Sequence, residues 1–437
     1  MRRSLIKESG QEDSTAHYFL EPTDSLYHAM TNTNYTEVKK IFGDGLYFSG
    51  DSFHELFGRV DNIDLPNSGV SLISEMKRHE PNAKWVFQAW SGNPRDKMIE
   101  KVDPEDIIIL DLDCDNRPQY RSRNGWNNYP WIWTFINNFG GNEGMFGRLD
   151  VIANEVQKVK QQPRIAKNIQ GVGFNPEAIE NNSIISDLLY DLRWEDIDST
   201  QLTTWVNKYA SARYGVNYAP LQEAWQTLRH TSYGQKLRKN ESQQGTTESV
   251  LCARPHLNIR STSSWGTNKR YYDGIELIKP WRQFMEAIPV VGESKAFDYD
   301  IVNLPKQVLD DYAQSLYDDL KVAVKENNKH RLQEVETLYM MLFDDLDKLL
   351  NTQRHFMIGP WIASARSMET NEQEKELFEY QSRTLLTTWS FQDSNLKDYS
   401  FREWRGMMKD FYKPRWIAFF QSLETREKIG YYKMEDA

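Results

Sequence analysis

Two acidic residues stand at the ends of strand-like runs, where a fold can hold a side chain still enough to react. Residues 45–55 read GLYFSGDSFHE, a short aromatic-rich stretch that delivers Asp51, His54 and Glu55 in close succession. Residues 169–177, IQGVGFNPE, end in the same manner: Gly171, Gly173 and Pro176 bring Glu177 to the tip of a second run. The carboxyl ends of strands are where barrels and open α/β sheets place their chemistry. Two carboxylates so placed suit a general acid/base working with a second acid on one bound substrate. Glu180 lies three residues beyond Glu177 on nearly the same face of the helix expected to follow. Spacing alone does not choose between them.

Other polar clusters carry weaker chemistry. Asp111, Asp113 and Asp115 alternate as calcium or magnesium ligands do, but the stretch lacks the glycine and terminal glutamate of a calcium loop, so no metal site is assigned. The run WIWTFI leads into Asn137, Asn138, Phe139, Gly140, Gly141 and Asn142. Amides and bare backbone there can bond sugar hydroxyls or an acetamido group, and the glycines predict a turn with positive φ. GGNEG lacks both the Walker lysine and the GxGxxG spacing, so it is not a phosphate loop. Trp265 sits in a polar, glycine-containing stretch unlike a core segment. No serine or cysteine triad signature is present, and no cofactor is called for.

The elements that must hold these residues alternate in the first half. Strands are expected over 46–49, 85–90, 107–112, 131–136 and 169–174, with helices over 22–40, 68–78 and 96–102 and another near 182–192. In the first helix Thr23 and Asp24 are candidate caps, and Leu26, Met30, Tyr35 and Val38 supply its apolar contacts. Such alternation implies parallel pairing with right-handed crossovers. Five strands are visible; a closed (β/α)8 barrel has eight, so about three are lacking if that is the fold. From about Trp194 onward strand signals fade. Leu309, Tyr312, Leu316, Leu320 and Val324 recur at helical spacing, as do Leu332, Val335, Leu338, Leu342, Leu346 and Leu349. Residues 236–247 read as a loop within that half. The expected division is 1–195, α/β, and 196–437, all α-helical.

The totals exclude several classes. A net charge of −10 argues against an electrostatic nucleic-acid binder. Cys114 and Cys252 are too few for a disulfide framework or a cysteine zinc site. No run of about 20 apolar residues is present to cross a membrane. The opening MRRSLIKESGQEDS has no apolar run of a signal peptide, so the chain as written is expected to be cytoplasmic, and secreted or at the cell surface if its natural N-terminus lies further upstream. The 13% aromatic content, with 14 Trp, suits both large cores and sugar-binding faces.

Several strings together resemble glycoside hydrolase family 89, the α-N-acetylglucosaminidases: FLEPTDSLY (19–27), DSFHE (51–55), KWVFQAW (84–90), IIILDLD (107–113), WIWTFINNFGGNEGMFG (131–147), GVGFNPEAIENN (171–182), SSWGTN (263–268) and KPRW (413–416). They keep the family's order over nearly the whole chain. The resemblance implies the C-terminal part of a (β/α)8 TIM barrel, about five strands, followed by an α-helical domain. It makes Glu55 the general acid/base and Glu177, not Glu180, the nucleophile; His54 would orient Glu55, and Trp90, Asn138 and Trp265 would line the sugar pocket. The implied substrate is a glycan with terminal α-linked N-acetylglucosamine. Its 2-acetamido group is cis to the leaving oxygen and cannot attack from the opposite face, so the enzyme must supply a carboxylate and retain configuration. Retention requires carboxyls about 5–5.5 Å apart, and Glu55 is expected to be held protonated by burial and by the charge of Glu177. The chain departs from the family at Leu56 and Phe57, where glycine is usual after the acid, and at Ala178, where glycine usually follows the nucleophile. Family members also carry several hundred residues ahead of FLxPTD. A separate N-terminal fragment completing the barrel is therefore an expected partner, and a non-catalytic fragment with weak sugar binding is the alternative.

Overall fold

The computed structural model describes residues 20–53, 63–178, 181–236, 245–263, 266–389 and 396–424. Helix α1 (Ser25–Phe42) leads to β1 (Tyr47–Ser49), followed by α2 (Leu65–His79), β2 (Lys84–Ala89), α3 (Asp96–Ile99), β3 (Ile107–Asp111), α4 (Gln119–Ser122) and β4 (Trp131–Phe135). Then come α5 (Leu149–Lys160), α6 (Pro163–Ala166), β5 (Ile169–Phe174) and α7 (Ser183–Asp191). The remainder is helical: α8 (Leu202–Tyr214), α9 (Ala219–His230), α10 (Ile278–Val291), α11 (Lys295–Lys325), α12 (Lys329–Leu350), α13 (Ile358–Arg366), α14 (Glu372–Leu386) and α15 (Lys413–Glu424). Two compact units result. The first comprises residues 1–136, 152–175 and 189–196, the second 137–151, 176–188 and 197–437.

In the first unit the five strands form one sheet in the order β1-β2-β3-β4-β5, every pair parallel. Sequential parallel neighbours joined through helices are the repeat of a (β/α) barrel. Every second residue of β2 and β3 is fully buried: Trp85, Phe87, Ile107 and Ile109. This is the pleat's two-residue period, modulating the run IIIL that sequence alone reads as evenly apolar. The Trp85 indole N–H donates to the Gly50 carbonyl at 2.7 Å, fixing the turn that leaves β1. Gly69 lets α2 close on α3, since a Cβ there would lie 1.9 Å from the Met98 carbonyl oxygen.

The expected strands and helices are present within a few residues. Asp24 caps α1 by accepting the Leu26 N–H at 2.8 Å. The apolar face assigned to α1 is a correction. None of its residues is buried, and Leu26, Met30 and Val38 are exposed. Tyr35 does pack, edge-on to Phe48 with ring centroids 5.4 Å apart. A helical period names a face; what covers it depends on the neighbour.

In the second unit α11 and α12 form the longest hairpin, turned at Asn327 with φ 53°. The Asn328 side chain caps α12 by accepting the Arg331 N–H at 3.0 Å. Leu316, Leu320, Leu332, Val335, Leu342 and Leu346 join the core, whereas Tyr312 and Leu338 lie on the exposed flank. Trp416, from the KPRW string, is fully buried. It packs against Tyr339 at 4.6 Å between centroids and donates its indole N–H to the Leu251 carbonyl at 3.1 Å.

Helix α11 also fixes the loop that follows Gly141. The buried Lys306 ammonium donates to the Glu143 carbonyl and pairs with Glu403 at 3.0 Å, while the Gln307 side chain accepts the Met145 N–H at 2.9 Å. Burial, and then the charge of Asp310, push the Glu403 carboxyl up to about 7, with Lys306 drawing it back. A carboxyl raised in this way binds a proton more readily in the folded state than unfolded. Its contribution to stability is therefore present at low pH and falls as pH rises from about 5 to about 8.

Urea denaturation provides two checks. Phe343→Ala, in the core, should cost about 3–5 kcal/mol, and Leu338→Ala about 0.5 kcal/mol or less; equal losses would refute the assigned faces of α12. Across pH 5 to 8, Glu403→Gln should lose less stability with rising pH than the wild type, whatever its absolute stability.

Candidate active site

Glu177 lies three residues past the end of β5, and the structure surrounds its carboxylate with donors from two distant segments. The first is the turn after β4. Gly140 has φ 61° and Gly141 φ 70°, the positive values expected of the glycine pair. The turn aims the Gly140 N–H at Glu177 Oε2. The second is residues 398–402, from which the Tyr399 hydroxyl reaches Oε1 at 2.7 Å and Oε2 at 2.6 Å. Glu177 itself is exposed, while Tyr399 is buried. The carboxylate is thus open to a reactant and held by groups that are not.

The peptide group on the other side of the Gly140 Cα is fixed as well. Its carbonyl accepts from Ser400 Oγ at 2.6 Å and from Arg402 Nη1 at 2.9 Å. A Cβ on Gly140 would lie 2.7 Å from the Tyr399 carbonyl oxygen, so both φ and space require glycine. Asn138 opens the same turn: its carbonyl accepts the Gly141 N–H at 3.0 Å. Its side chain, 1% exposed, donates weakly to the Gly144 carbonyl at 3.5 Å and leaves Oδ1 without a hydrogen-bond partner among the described residues. An acceptor buried in this state suits a donor brought by a ligand, such as an amide or hydroxyl. Asn182 supports the loop by donating to the Gly144 carbonyl at 3.1 Å and is itself held by the Tyr233 hydroxyl at 2.9 Å.

The structure therefore brings Asn138 and Glu177 to one turn. Trp90 belongs to the other unit, directly after β2, where its carbonyl accepts the Asn93 N–H at 2.9 Å. His54, Glu55 and Trp265 lie outside the described residues, as do Glu180, Leu56 and Phe57. The stretch just ahead of Trp265 is anchored: the Glu248 carboxylate accepts the Thr262 N–H at 2.6 Å and the Ser263 N–H at 3.0 Å, and burial raises its pKa. Asp111 has a similar task, accepting the Tyr120 N–H at 2.6 Å and the Trp126 indole at 3.2 Å, with its carboxyl pushed by burial up to about 6. Among the described residues no group of three or more His, Cys, Asp or Glu is arranged to hold a metal ion, and no helix is long and apolar enough to cross a membrane.

Tyr399, Ser400 and Arg402 are absent from the sequence-based candidates. No local signal sets them apart, since the segment between α14 and α15 that carries them also packs Phe401 and Trp404 into the helical core.

Comparison with known proteins bears on this arrangement. Residues 4–196 match the model of the α-N-acetylglucosaminidase (NAGLU) tim-barrel domain, and residues 205–434 that of the NAGLU C-terminal domain. The human protein named α-N-acetylglucosaminidase is 26% identical over 417 residues, 93% of this chain and 54% of that one. A family 89 glycoside hydrolase from Clostridium perfringens, solved in complex with PUGNAc, superposes with a TM-score of 0.85 at 31% identity, covering 95% of this chain and 47% of its own. Another Clostridium perfringens structure carries two glutamate-to-glutamine substitutions and holds its substrate GlcNAc-α-1,4-galactose; it matches with a TM-score of 0.85 at 30% identity, again over 95% and 47%. The chain spans about half the length of these relatives. With both family domains matched in order, the chain belongs to the α-N-acetylglucosaminidase family, glycoside hydrolase family 89.

Proposed function

We propose that this chain carries the catalytic carboxylates of a retaining glycosidase that removes terminal α-linked N-acetylglucosamine from glycans by double displacement. The observation that carries the reading is the exposed Glu177 carboxylate, just past β5, held by Tyr399 and the Gly140 N–H. The name of the human relative and the disaccharide held by the Clostridium perfringens protein, whose substitutions replace two glutamates, support the same substrate and a two-glutamate mechanism.

In the first step a Glu177 oxygen forms a bond to C1 as the bond from C1 to the aglycone oxygen breaks. The electron pair leaves on that oxygen, which takes a proton from Glu55. In the second step a water oxygen bonds to C1 while the C1–Glu177 bond breaks. The pair returns to the carboxylate, and Glu55 takes the water proton. His54 orients Glu55, and Trp90, Asn138 and Trp265 contact the sugar, with the Asn138 amide oxygen as acceptor for an N–H or O–H of the substrate. The barrel portion runs over 1–195 and the helical domain over 196–437.

The reading requires a complete barrel. Among the described residues β1 and β5 are each paired on one side only, and Tyr47 in β1 and Ile41 and Phe42 at the end of α1 just before it are exposed, as are Tyr190 and Trp194. A polypeptide supplying about three more parallel strands would cover both edges. A separate N-terminal fragment is the proposed partner. The open sheet also favours a second reading, a chain that binds the sugar without hydrolysing it.

The test is hydrolysis of an aryl α-N-acetylglucosaminide by the chain, alone and with the complementary segment of the Clostridium perfringens enzyme. Activity in either case supports the glycosidase, and sugar binding with no hydrolysis in both supports the second reading. In the active form Glu177→Ala should retain less than about a thousandth of the rate, so full activity would remove Glu177 from the mechanism. Glu55→Ala should lose about 10²- to 10⁴-fold on substrates with poor leaving groups and much less on activated ones; equal losses would count against Glu55 as the acid.

A further inference from the structure

Tyr399 is 222 positions from Glu177 in the chain, yet its hydroxyl lies within hydrogen-bond distance of both carboxylate oxygens. The hydroxyl has one proton to donate, and either oxygen is placed to accept it. The phenol ring is fixed edge-on against Trp389, with centroids 4.7 Å apart. The residue before it, Asp398, is fully buried, paired with Arg254 at 2.9 Å and with Arg415 at 3.1 Å, and its N–H donates to the Thr387 carbonyl at 2.6 Å. The residue after it, Ser400, holds the Gly140 carbonyl. The two donors on Glu177 among the described residues, the Tyr399 hydroxyl and the Gly140 N–H, therefore belong to one anchored assembly.

We propose that Tyr399 is a positioning residue for the nucleophile, and that it acts chiefly in the second half of the reaction. This rests on the double-displacement reading of Glu177. A hydrogen bond to a carboxylate is charge-assisted, and it weakens when that carboxylate becomes a neutral ester in the glycosyl-enzyme. As the ester breaks, negative charge returns to Glu177, and a donor already in place stabilises the transition state in which it does so. The same bond aims the carboxylate before the sugar arrives. A residue of the helical C-terminal region thus takes part in the timing of a reaction whose nucleophile follows a barrel strand.

The experiment compares wild type with Tyr399→Phe, folding being checked by near-ultraviolet circular dichroism and Tm. On an aryl substrate with a good leaving group kcat should fall about 10- to 100-fold. KM should fall with it as glycosyl-enzyme accumulates, leaving kcat/KM changed far less. A second readout needs no turnover: carbodiimide-driven amidation of Glu177, located by mass spectrometry, should have a pH profile moved alkaline by about half a pH unit in Tyr399→Phe. Incorporation of 3-fluorotyrosine at position 399, which keeps the ring and makes a stronger donor, should move that profile the other way and serves in place of Tyr399→Phe if that variant fails to fold. Labelling profiles unmoved by these substitutions overturn the proposal, as does a fall in kcat with KM unchanged. If the wild type hydrolyses nothing, alone or complemented, the double-displacement reading fails while the labelling profiles still decide whether Tyr399 governs the carboxylate.

Discussion

One residue, Gly140, carries the arrangement of the site. Its N–H donates to Glu177 and its carbonyl accepts from Ser400 and Arg402, so two successive peptide groups meeting at one Cα relate a residue after β5 to a segment in the helical half. The two groups are set relative to each other by the φ of 61° and ψ of 8° at Gly140, the only soft dihedrals between them, so holding the carbonyl on Ser400 and Arg402 with those angles fixed also aims the N–H at the carboxylate. Only glycine allows this, because φ is positive and the Tyr399 carbonyl occupies the space a Cβ would need. The buried Arg402 and Ser400 then have a function that their distance from any strand conceals.

Each half of the chain supplies what the other kind of structure cannot. Parallel strands deliver residues to a common edge by their register, with Ala89 level with Asp111 and Phe135 level with Phe174. They place backbone well but offer few free donors, since the ladder uses them. The helical half provides buried side chains fixed by ion pairs and aromatic packing: Lys306 with Glu403 behind the Glu143 loop, and Asp398 between Arg254 and Arg415 beside Tyr399. Such pairs are costly to bury and are weak evidence of stability. Here their effect is geometric, holding loops in a single conformation around an exposed acid.

What was legible from sequence followed from locality. The runs in β2, β3, β4 and β5 are short, apolar and bounded by turn residues, so their existence and nearly their limits could be read. Glu177 and Asn138 could be singled out because each follows such a run. The partner of α1 could not be read: Leu26, Met30 and Val38 make an apolar face, yet that face is exposed. Tyr312 and Leu338 fit the helical repeat and still fall on the solvent side, because a repeat of three and four residues leaves the width of the buried stripe undetermined. Tyr399 was illegible for the plainest reason. Its contact spans 222 residues and leaves no local pattern. His54, Glu55 and Trp265 lie outside the described residues, so their place rests on the family resemblance.

The central claim is that Glu177 forms a covalent bond to the sugar. The direct measurement is to treat the active protein with a fluorinated, activated α-N-acetylglucosaminyl donor that slows the second step, digest it, and locate the adduct by tandem mass spectrometry. The account predicts one added sugar, on the Glu177 carboxylate. An adduct on Glu180 or any other residue, or a first-formed product of inverted anomeric configuration, would contradict it.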